Sequence, residues 1–162
     1  MKTEKQLKRN IQILITGFVV LLLLSGVTAF PLEWELSLLV DVSKNGPEFF
    51  KEWATRVYEA IKETNGKYPF MAYGTDWLAF AHIVIGVAFI GPLRDPVKNI
   101  WVIEFGMIAC LMVFPLAFIC GHIRHIPFYW QLIDCSFGVF GFMPLYLCRK
   151  KIKMLEEISK TK

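Results

Sequence analysis

The sequence lacks the short motifs by which most nucleotide, metal and hydrolase sites are recognised. It has no Gly-rich turn between a strand and a helix, which excludes the common nucleotide-binding loops. It has no nucleophile elbow with Ser, His and Asp, and none of the H-E-x-x-H, H-x-x-E-H or C-x-x-C-H patterns. No catalytic residue is therefore predicted, and whether the protein is an enzyme is left open.

Cysteine is scarce, and no two cysteines form a C-x-x-C pair. The four residues lie in or at the ends of apolar runs, and no Cys/His spacing matches a zinc site: Cys110, Cys120, Cys135 and Cys148. We interpret them as small buried hydrophobic residues. A contact between Cys110 and Cys135 on neighbouring helices is the alternative. No cofactor is predicted from these residues.

Charged residues are also few, at 20% of the chain, whereas 55% of the residues are hydrophobic. That share is above the usual apolar content of a soluble domain. The formal net charge of +4 does not indicate nucleic-acid binding, because the basic residues cluster just outside the apolar runs, where membrane topology needs them. The expected partner is therefore a lipid bilayer and not a nucleic acid.

The sequence does contain four long apolar runs. They cover residues 11–30, 75–91, 100–120 and 128–148. An apolar helix of twenty residues is about 30 Å long, which matches the hydrocarbon core of a bilayer. We predict an all-α polytopic membrane protein, a single membrane domain over residues 1–162 whose four transmembrane helices form a bundle. Pro115 predicts a kink in the third span.

The first run also has features of a signal peptide. A basic start precedes it, and Val27-Thr28-Ala29 is a candidate cleavage site. Its length of twenty residues favours a retained span, and cleavage within residues 1–29 is the alternative.

Residues 31–74 are the one sizeable segment outside the predicted spans. Within it we predict an amphipathic helix from Pro47 to Thr64, because Phe50, Trp53, Val57 and Ile61 share one helical face. Gly66 is a stop signal for that helix. The helix is expected to lie on the membrane surface or to cover the bundle. The stretch LEWELSLLVDVS before it fits either an extension of the first helix or an interfacial segment.

Orientation in the membrane follows from the distribution of lysine and arginine. Most of the 18 basic residues fall in segments that share one side, namely the N-terminus, the loop at residues 92–99 and the tail at residues 149–162. The positive-inside rule therefore predicts that both termini are cytoplasmic and that residues 31–74 are extracytoplasmic. The expected location is the cell (inner) membrane.

Two polar residues inside predicted spans are the leading site candidates, because ionisable residues in a membrane are costly and often functional. His82 lies about 10 Å below the outer end of its span, and Asp134 about 9 Å below the outer end of its own. Both occur on stripes of small residues, Thr75, Ala79, His82 and Gly86 in one span and Asp134, Gly138 and Gly141 in the other. A His82–Asp134 hydrogen bond is predicted, which either binds a ligand or locks helix packing.

Aromatic residues at the outer ends of the spans complete the candidate site. Trp77, Tyr129 and Trp130 are predicted to line its entrance as ligand-binding residues, and with Trp34 and Tyr73 they form an outer aromatic belt. Trp101 and Tyr146 mark the inner belt.

Other titratable residues receive structural interpretations. Glu104, near the inner end of the third span, is expected to form an interfacial ion pair with Arg94 or Lys98. His82, His122 and His125 together allow a haem or metal site, but only His82 lies within a span, and we regard this alternative as the weaker one. The loop histidines are better explained as solvated turn residues.

Three functions are compatible with this pattern. The leading hypothesis is a bundle that binds a hydrophobic or amphipathic small molecule, or a lipid, in its outer half, where His82 and Asp134 contact the polar end. The second is a structural or assembly subunit of a larger membrane complex. The third is a small proton-coupled transporter that works as a homo-oligomer, because four short helices alone enclose little pathway.

Overall fold

The computed structural model describes residues 4–160, and every regular element in that range is helical. The helices are α1 (Glu4–Thr28), α2 (Leu32–Ser43), α3 (Glu48–Lys67), α4 (Tyr73–Ala88), α5 (Ile90–Arg94), α6 (Ile100–Ile123) and α7 (Phe128–Lys160), and a 3-10 turn, Pro69–Ala72, precedes α4. No strand occurs among these residues. The all-α prediction is confirmed.

Four helical segments are long and apolar enough to cross a membrane. They are Glu4–Thr28, Pro69–Arg94, Ile100–Ile123 and Phe128–Lys160. Each contains most or all of one predicted span, so the chain is a membrane protein with four candidate spans. The four-helix bundle and the extracytoplasmic position of residues 31–74 stay predictions.

Several helix ends differ from those expected from the sequence. Pro92 lies inside α5, which begins at Ile90, because the first turn of a helix tolerates a residue without an N–H. Gly66 does not stop α3, which ends one residue later. Pro115 lies within α6, and the kink at this residue stays a prediction. The stretch LEWELSLLVDVS forms a helix of its own, α2. The prediction that the basic tail is helical where it leaves the membrane is confirmed, because α7 continues beyond Cys148 to Lys160.

The helices belong to two compact units. The hairpin unit contains the chain up to Val20 and from Val87 onward, and the middle unit contains Leu21–Gly86. The boundaries pass through α1 and near the end of α4. The single membrane domain stays a prediction.

Small residues bring α6 and α7 into close contact in the hairpin unit. A Cβ atom added at Gly138 would lie 2.6 Å from the backbone oxygen of Cys110, and one added at Gly106 would lie 2.8 Å from Leu145 Cδ1. Close backbone approach of this kind is typical of helix packing in membranes. The first half of α1 joins this unit, where the rings of Phe18 and Phe89 have centroids 5.0 Å apart.

The turn between α6 and α7 is a Schellman cap. Ile126 N–H donates to Gly121 O at 2.9 Å, and His125 N–H donates to His122 O at 3.2 Å. His125 has a φ of 58°, the left-handed conformation that this motif requires after a helix. Buried Gln131 closes the turn, because its Nε2 donates to Ile126 O at 2.8 Å and its side chain fills the space beside Gly121.

The middle unit contains a close approach of α1 to α4 and the helical pair α2 and α3. The second half of α1 packs against α4 at Gly26, where an added Cβ would lie 2.8 Å from His82 Cβ and 2.9 Å from Ala79 O. Helices α2 and α3 pack against each other and bury Leu36 and Ala54. The residues expected on the apolar face of α3 are half-buried: Phe50, Trp53, Val57 and Ile61.

Candidate ligand-binding site

The five predicted ligand residues lie on two helices. His82 and Trp77 are on α4 in the middle unit, and Asp134, Tyr129 and Trp130 are on α7 in the hairpin unit. His82 and Asp134 thus belong to different units, and the hydrogen bond between them stays a prediction.

His82 uses one ring nitrogen within its own helix. Its Nδ1 lies 2.8 Å from the backbone oxygen of Leu78, one turn earlier. A carbonyl oxygen only accepts, so this bond requires the proton on Nδ1 and leaves Nε2 as an acceptor in the neutral ring. The contact with Gly26 holds the base of the side chain in place. His82 can therefore accept a hydrogen bond from a hydroxyl or a protonated group.

Trp77 lies between two other aromatic residues on α4 and contacts both. Its ring lies edge-on to the rings of Tyr73 and Phe80, with centroids 5.9 Å apart in both cases. The side chain is 56% exposed. Exposed aromatic rings in edge-to-face contact near the end of an apolar helix fit the interface of a bilayer, where such side chains are enriched.

Asp134 is half-buried on α7, one turn after Trp130. Within the described part of the hairpin unit, no side chain or backbone N–H donates a hydrogen bond to its carboxylate. Tyr129 and Trp130 are half-buried beside the turn that begins α7. Three of the five predicted residues are thus close in the chain, at the same end of one helix.

His122 and His125 belong to the cap that ends α6, and both are exposed. Among residues 4–160, no group of three or more His, Cys, Asp or Glu side chains is arranged to hold a metal ion. Both histidines thus take part in the cap through their backbone atoms, and the haem or metal alternative stays a hypothesis.

Glu104 forms an ion pair, but with a different partner from the one predicted. Arg149 Nε donates to Glu104 Oε1 at 2.8 Å, which joins α6 to α7. Lys98 instead lies 3.4 Å from Asp95 Oδ2 within its own turn. The prediction of Arg94 or Lys98 was wrong because it considered neighbours along the chain. The antiparallel packing of α6 and α7 places Arg149 opposite Glu104.

A cleft of about 620 Å³ in the middle unit was not predicted from the sequence. It lies among the end of α1, helices α2 and α3, the 3-10 turn and the start of α4. Its walls are mostly apolar or aromatic. The lining residues are Phe30, Pro31, Leu32, Glu33, Trp34, Ser37, Tyr58, Ile61, Thr64, Asn65, Met71, Ala72 and Thr75.

One hydrogen-bonded pair of polar side chains lines this cleft. Asn65 Nδ2 donates to Glu33 Oε2 at 2.8 Å, which joins α3 to α2 and leaves the second carboxylate oxygen able to accept. Two lining hydroxyls are turned to their own helices: Ser37 Oγ donates to Trp34 O at 2.7 Å and Thr64 Oγ1 donates to Ala60 O at 2.7 Å. The cleft therefore offers an apolar wall with a carboxylate and an amide.

Neither His82 nor Trp77 is among the residues that line this cleft. The available signal in the sequence was the ambiguous stretch 32–43 followed by a second, amphipathic helix. Two such helices joined by a short loop form a hairpin. Because polar and apolar side chains both occur on the facing sides of the helices, the hairpin can leave a cleft.

Comparisons of the chain with protein-family models, with curated proteins and with solved structures found no match. A function is therefore inferred from the chain's own residues, chiefly those of the cleft.

Proposed function

We propose that this membrane protein binds an amphipathic small molecule in the cleft of the middle unit. The observation that carries the proposal is a concave, mostly apolar space of about 620 Å³ with one polar pair, Glu33 and Asn65. Ligand pockets generally measure about 300–1,000 Å³ and combine apolar walls with a few polar groups that orient the ligand. An apolar tail against Tyr58, Ile61 and Met71, with a polar end at Glu33, satisfies both parts.

The proposed location of the cleft is the outer surface of the cell (inner) membrane. Basic residues are concentrated near the N-terminus, in the loop at 92–99 and in the tail at 149–160, which supports cytoplasmic termini and an extracytoplasmic segment 31–74. Helices α2 and α3 would then lie at the outer interface. A ligand with an apolar tail could enter the cleft from the bilayer.

Accessibility of engineered cysteines tests this topology. Asn45→Cys, in the loop between α2 and α3, and Lys150→Cys, in α7, replace exposed residues. Both are made in a Cys120→Ala background, because Cys120 is an exposed native thiol. A membrane-impermeant maleimide applied to intact cells should label the Asn45→Cys variant and leave the Lys150→Cys variant unlabelled. Labelling of both variants from one side contradicts the proposed topology.

Native mass spectrometry of protein released from mild detergent tests the binding proposal. Ala72→Phe fills the cleft, whereas Ala60→Phe makes the same change at an exposed position of α3 outside it. The wild type and Ala60→Phe should carry a reproducible additional mass, and Ala72→Phe should lose it. A bare wild-type mass, or a mass retained by Ala72→Phe, contradicts the proposal.

A subunit of a larger membrane complex is the second candidate function. Asp134 favours it, because a carboxylate on an apolar helix without a donor in its own unit is costly unless another group pairs with it. A helix of a partner chain could supply that group. His82 is the candidate within this chain, and a proton-coupled transporter acting as a homo-oligomer would use the same pair.

Asp134→Asn and His82→Gln, alone and combined, separate these possibilities. Loss of a larger species on native gels with Asp134→Asn alone supports a partner chain. Non-additive effects of the two substitutions on thermal stability support the His82–Asp134 pair, because residues in contact do not act independently. Additive effects with an unchanged native-gel pattern contradict both.

A further inference from the structure

The charge of the cleft indicates which kind of polar end its ligand carries. Glu33 is the one charged residue among those that line the cleft, and no lysine or arginine is among them. An amphiphile with a phosphate, sulfate or carboxylate end would therefore place a negative charge beside a carboxylate, with no cation among the lining residues to offset it. Like charges at short range are unfavourable, and more so next to apolar walls than in water.

Three polar side chains of the cleft already use a donor. The Asn65 amide donates to Glu33, and the hydroxyls of Ser37 and Thr64 donate to carbonyl oxygens of their own helices. The remaining side-chain donors of the lining are the second Asn65 N–H, the Trp34 indole N–H and the hydroxyls of Tyr58 and Thr75. The free Glu33 oxygen carries the charge of the cleft and can only accept. A ligand end that donates and carries a positive charge, such as a primary ammonium group, matches this oxygen.

Aromatic rings in the cleft support the same charge. Trp34 follows Glu33 in the chain, lines the cleft and is 62% exposed, so its ring is available to a ligand. Tyr58 already accepts a cation from the protein, because Lys62 Nζ lies 5.5 Å from its ring centroid. Rings beside a carboxylate are a common way to hold ammonium groups. Lys62 is a like charge for such a ligand, so Trp34 and not Tyr58 is the ring that we assign to it.

We propose that the ligand of the cleft is a single-chain amphiphile with a positively charged ammonium head and no phosphate. Glu33 holds the ammonium group, the Trp34 ring packs against it, and the apolar chain lies along Ile61 and Met71. This assignment rests on the proposed function, because it requires that the cleft binds an amphiphile at all.

Binding of matched amphiphiles to protein in phosphatidylcholine nanodiscs tests the assignment. The probes are dodecylammonium, dodecyl sulfate and dodecanol, which share one tail, and binding to empty nanodiscs is subtracted to remove partition into the bilayer. The wild type should bind the ammonium probe at least tenfold more tightly than the sulfate. Equal binding of the two charged probes overturns the proposal.

Glu33→Gln tests the carboxylate with little change of shape, because the glutamine oxygen can still accept from Asn65. It should weaken binding of dodecylammonium about tenfold and leave dodecanol binding unchanged, since only the charge interaction is lost. The control is Glu35→Gln on the same helix, which removes the same charge outside the cleft lining and should change binding less than twofold. Equal effects of the two variants overturn the proposal.

Two further variants keep the result interpretable. Trp34→Ala alters an exposed side chain, so the fold should persist even if Glu33→Gln is unstable, and it should weaken the ammonium probe more than dodecanol. Ala72→Phe separates the two proposals. If it leaves all three probes unaffected, the cleft is not the binding site and the proposed function fails. If it abolishes dodecanol binding while Glu33→Gln changes nothing, the cleft binds amphiphiles but the ammonium assignment fails.

Discussion

The helical hairpins α6–α7 and α2–α3 are built from different side chains and differ in what they leave between their helices. In α6–α7, glycines let one backbone approach the other, as at Gly138 and Gly106. In α2–α3, the inter-helix contact includes long polar side chains, with Asn65 bound to Glu33. The first hairpin therefore packs closely, and the second borders a cleft of about 620 Å³.

The two hairpins also differ in their salt bridges. In α2 and α3 the salt bridges connect residues three or four apart in the chain, as in Lys51–Glu48 and Lys67–Glu63, and they are exposed. Such pairs support a single helix but do not join it to its neighbour. In α6–α7 the pair Glu104–Arg149 links the two helices. Among the described residues no salt bridge links α2 to α3, and the Asn65–Glu33 hydrogen bond is the polar contact that joins them.

Gly138→Ala should have the largest effect on stability, because it disrupts the close contact between α6 and α7. The new Cβ would lie 2.6 Å from the backbone oxygen of Cys110, and a backbone atom cannot move aside as a side-chain end can. The expected loss of unfolding free energy is about 1–3 kcal/mol. Thermal unfolding in detergent measures it as a lower Tm.

Gly17→Ala is the matched control, made in an apolar part of α1 where nothing lies within 4 Å of an added Cβ. Its stability should stay equal or rise by up to about 1 kcal/mol, because alanine favours a helix over glycine. Equal Tm values for the two variants would show that the α6–α7 contact is looser than the structure indicates.

Asn65→Ala should have the next largest effect on stability, and this effect should be confined to α2 and α3. It removes the hydrogen bond to Glu33, which is worth about 1.5 kcal/mol, the lower end of the range for a charged acceptor, because the contact is only part-buried. Hydrogen exchange should become faster in α2 and α3 and stay unchanged in α6 and α7. Asn45→Ala, in the exposed loop between the two helices, is the control. Faster exchange throughout the protein would contradict separate contributions of the hairpins.

The spans could be predicted from the sequence because an apolar run of about twenty residues has few stable alternatives to a membrane helix. The close approaches at Gly138 and Gly141 could be anticipated for a related reason, since small residues repeated at helical spacing favour tight packing. His82 was correctly placed on a helix face with Ala79, and that face meets Gly26.

The cleft and the partner of Glu104 could not be predicted, because both depend on how separate helices align. Glu33 and Asn65 are 32 residues apart, and Glu104 and Arg149 are 45 apart. Periodicity within one helix carries no information on that register. The role of Gln131 was missed for the same reason, because a buried glutamine is explained only by the cap of the preceding helix.

A double-mutant cycle on Glu104 and Arg149 should show a smaller effect than the glycine substitution. Both side chains are about 40% exposed, so solvent weakens the pair, and a coupling energy of about 0.5–1 kcal/mol is expected. Glu104→Gln, Arg149→Gln and the double variant are compared by thermal unfolding. High salt should reduce the coupling, because exposed charges are screened. A cycle between Glu104 and Lys98 should give no coupling; a larger value there would restore the partner predicted from the sequence.

Substitution of Asp95, in the turn between α5 and α6, should have the smallest effect on stability, and this effect should depend on pH. The backbone N–H of Lys98 donates to its Oδ1 at 3.1 Å, and chiefly through this bond the folded protein lowers the pKa of Asp95 below its ordinary value of 3.8. A carboxyl with a lowered folded pKa contributes stability above its unfolded pKa and loses that contribution as the pH falls through the folded pKa. Asp95→Asn should therefore lower the Tm slightly at pH 7, and the difference from the wild type should shrink as the pH falls below about 4 and disappear below the pKa of Asp95 in the folded protein. Lys98→Gln keeps the backbone donor and removes only the ammonium group, so it should retain most of this pH dependence. If Lys98→Gln instead abolishes it, the side-chain ion pair and not the backbone bond stabilises the turn, and the hairpin unit would resemble α2 and α3 in relying on charges three residues apart.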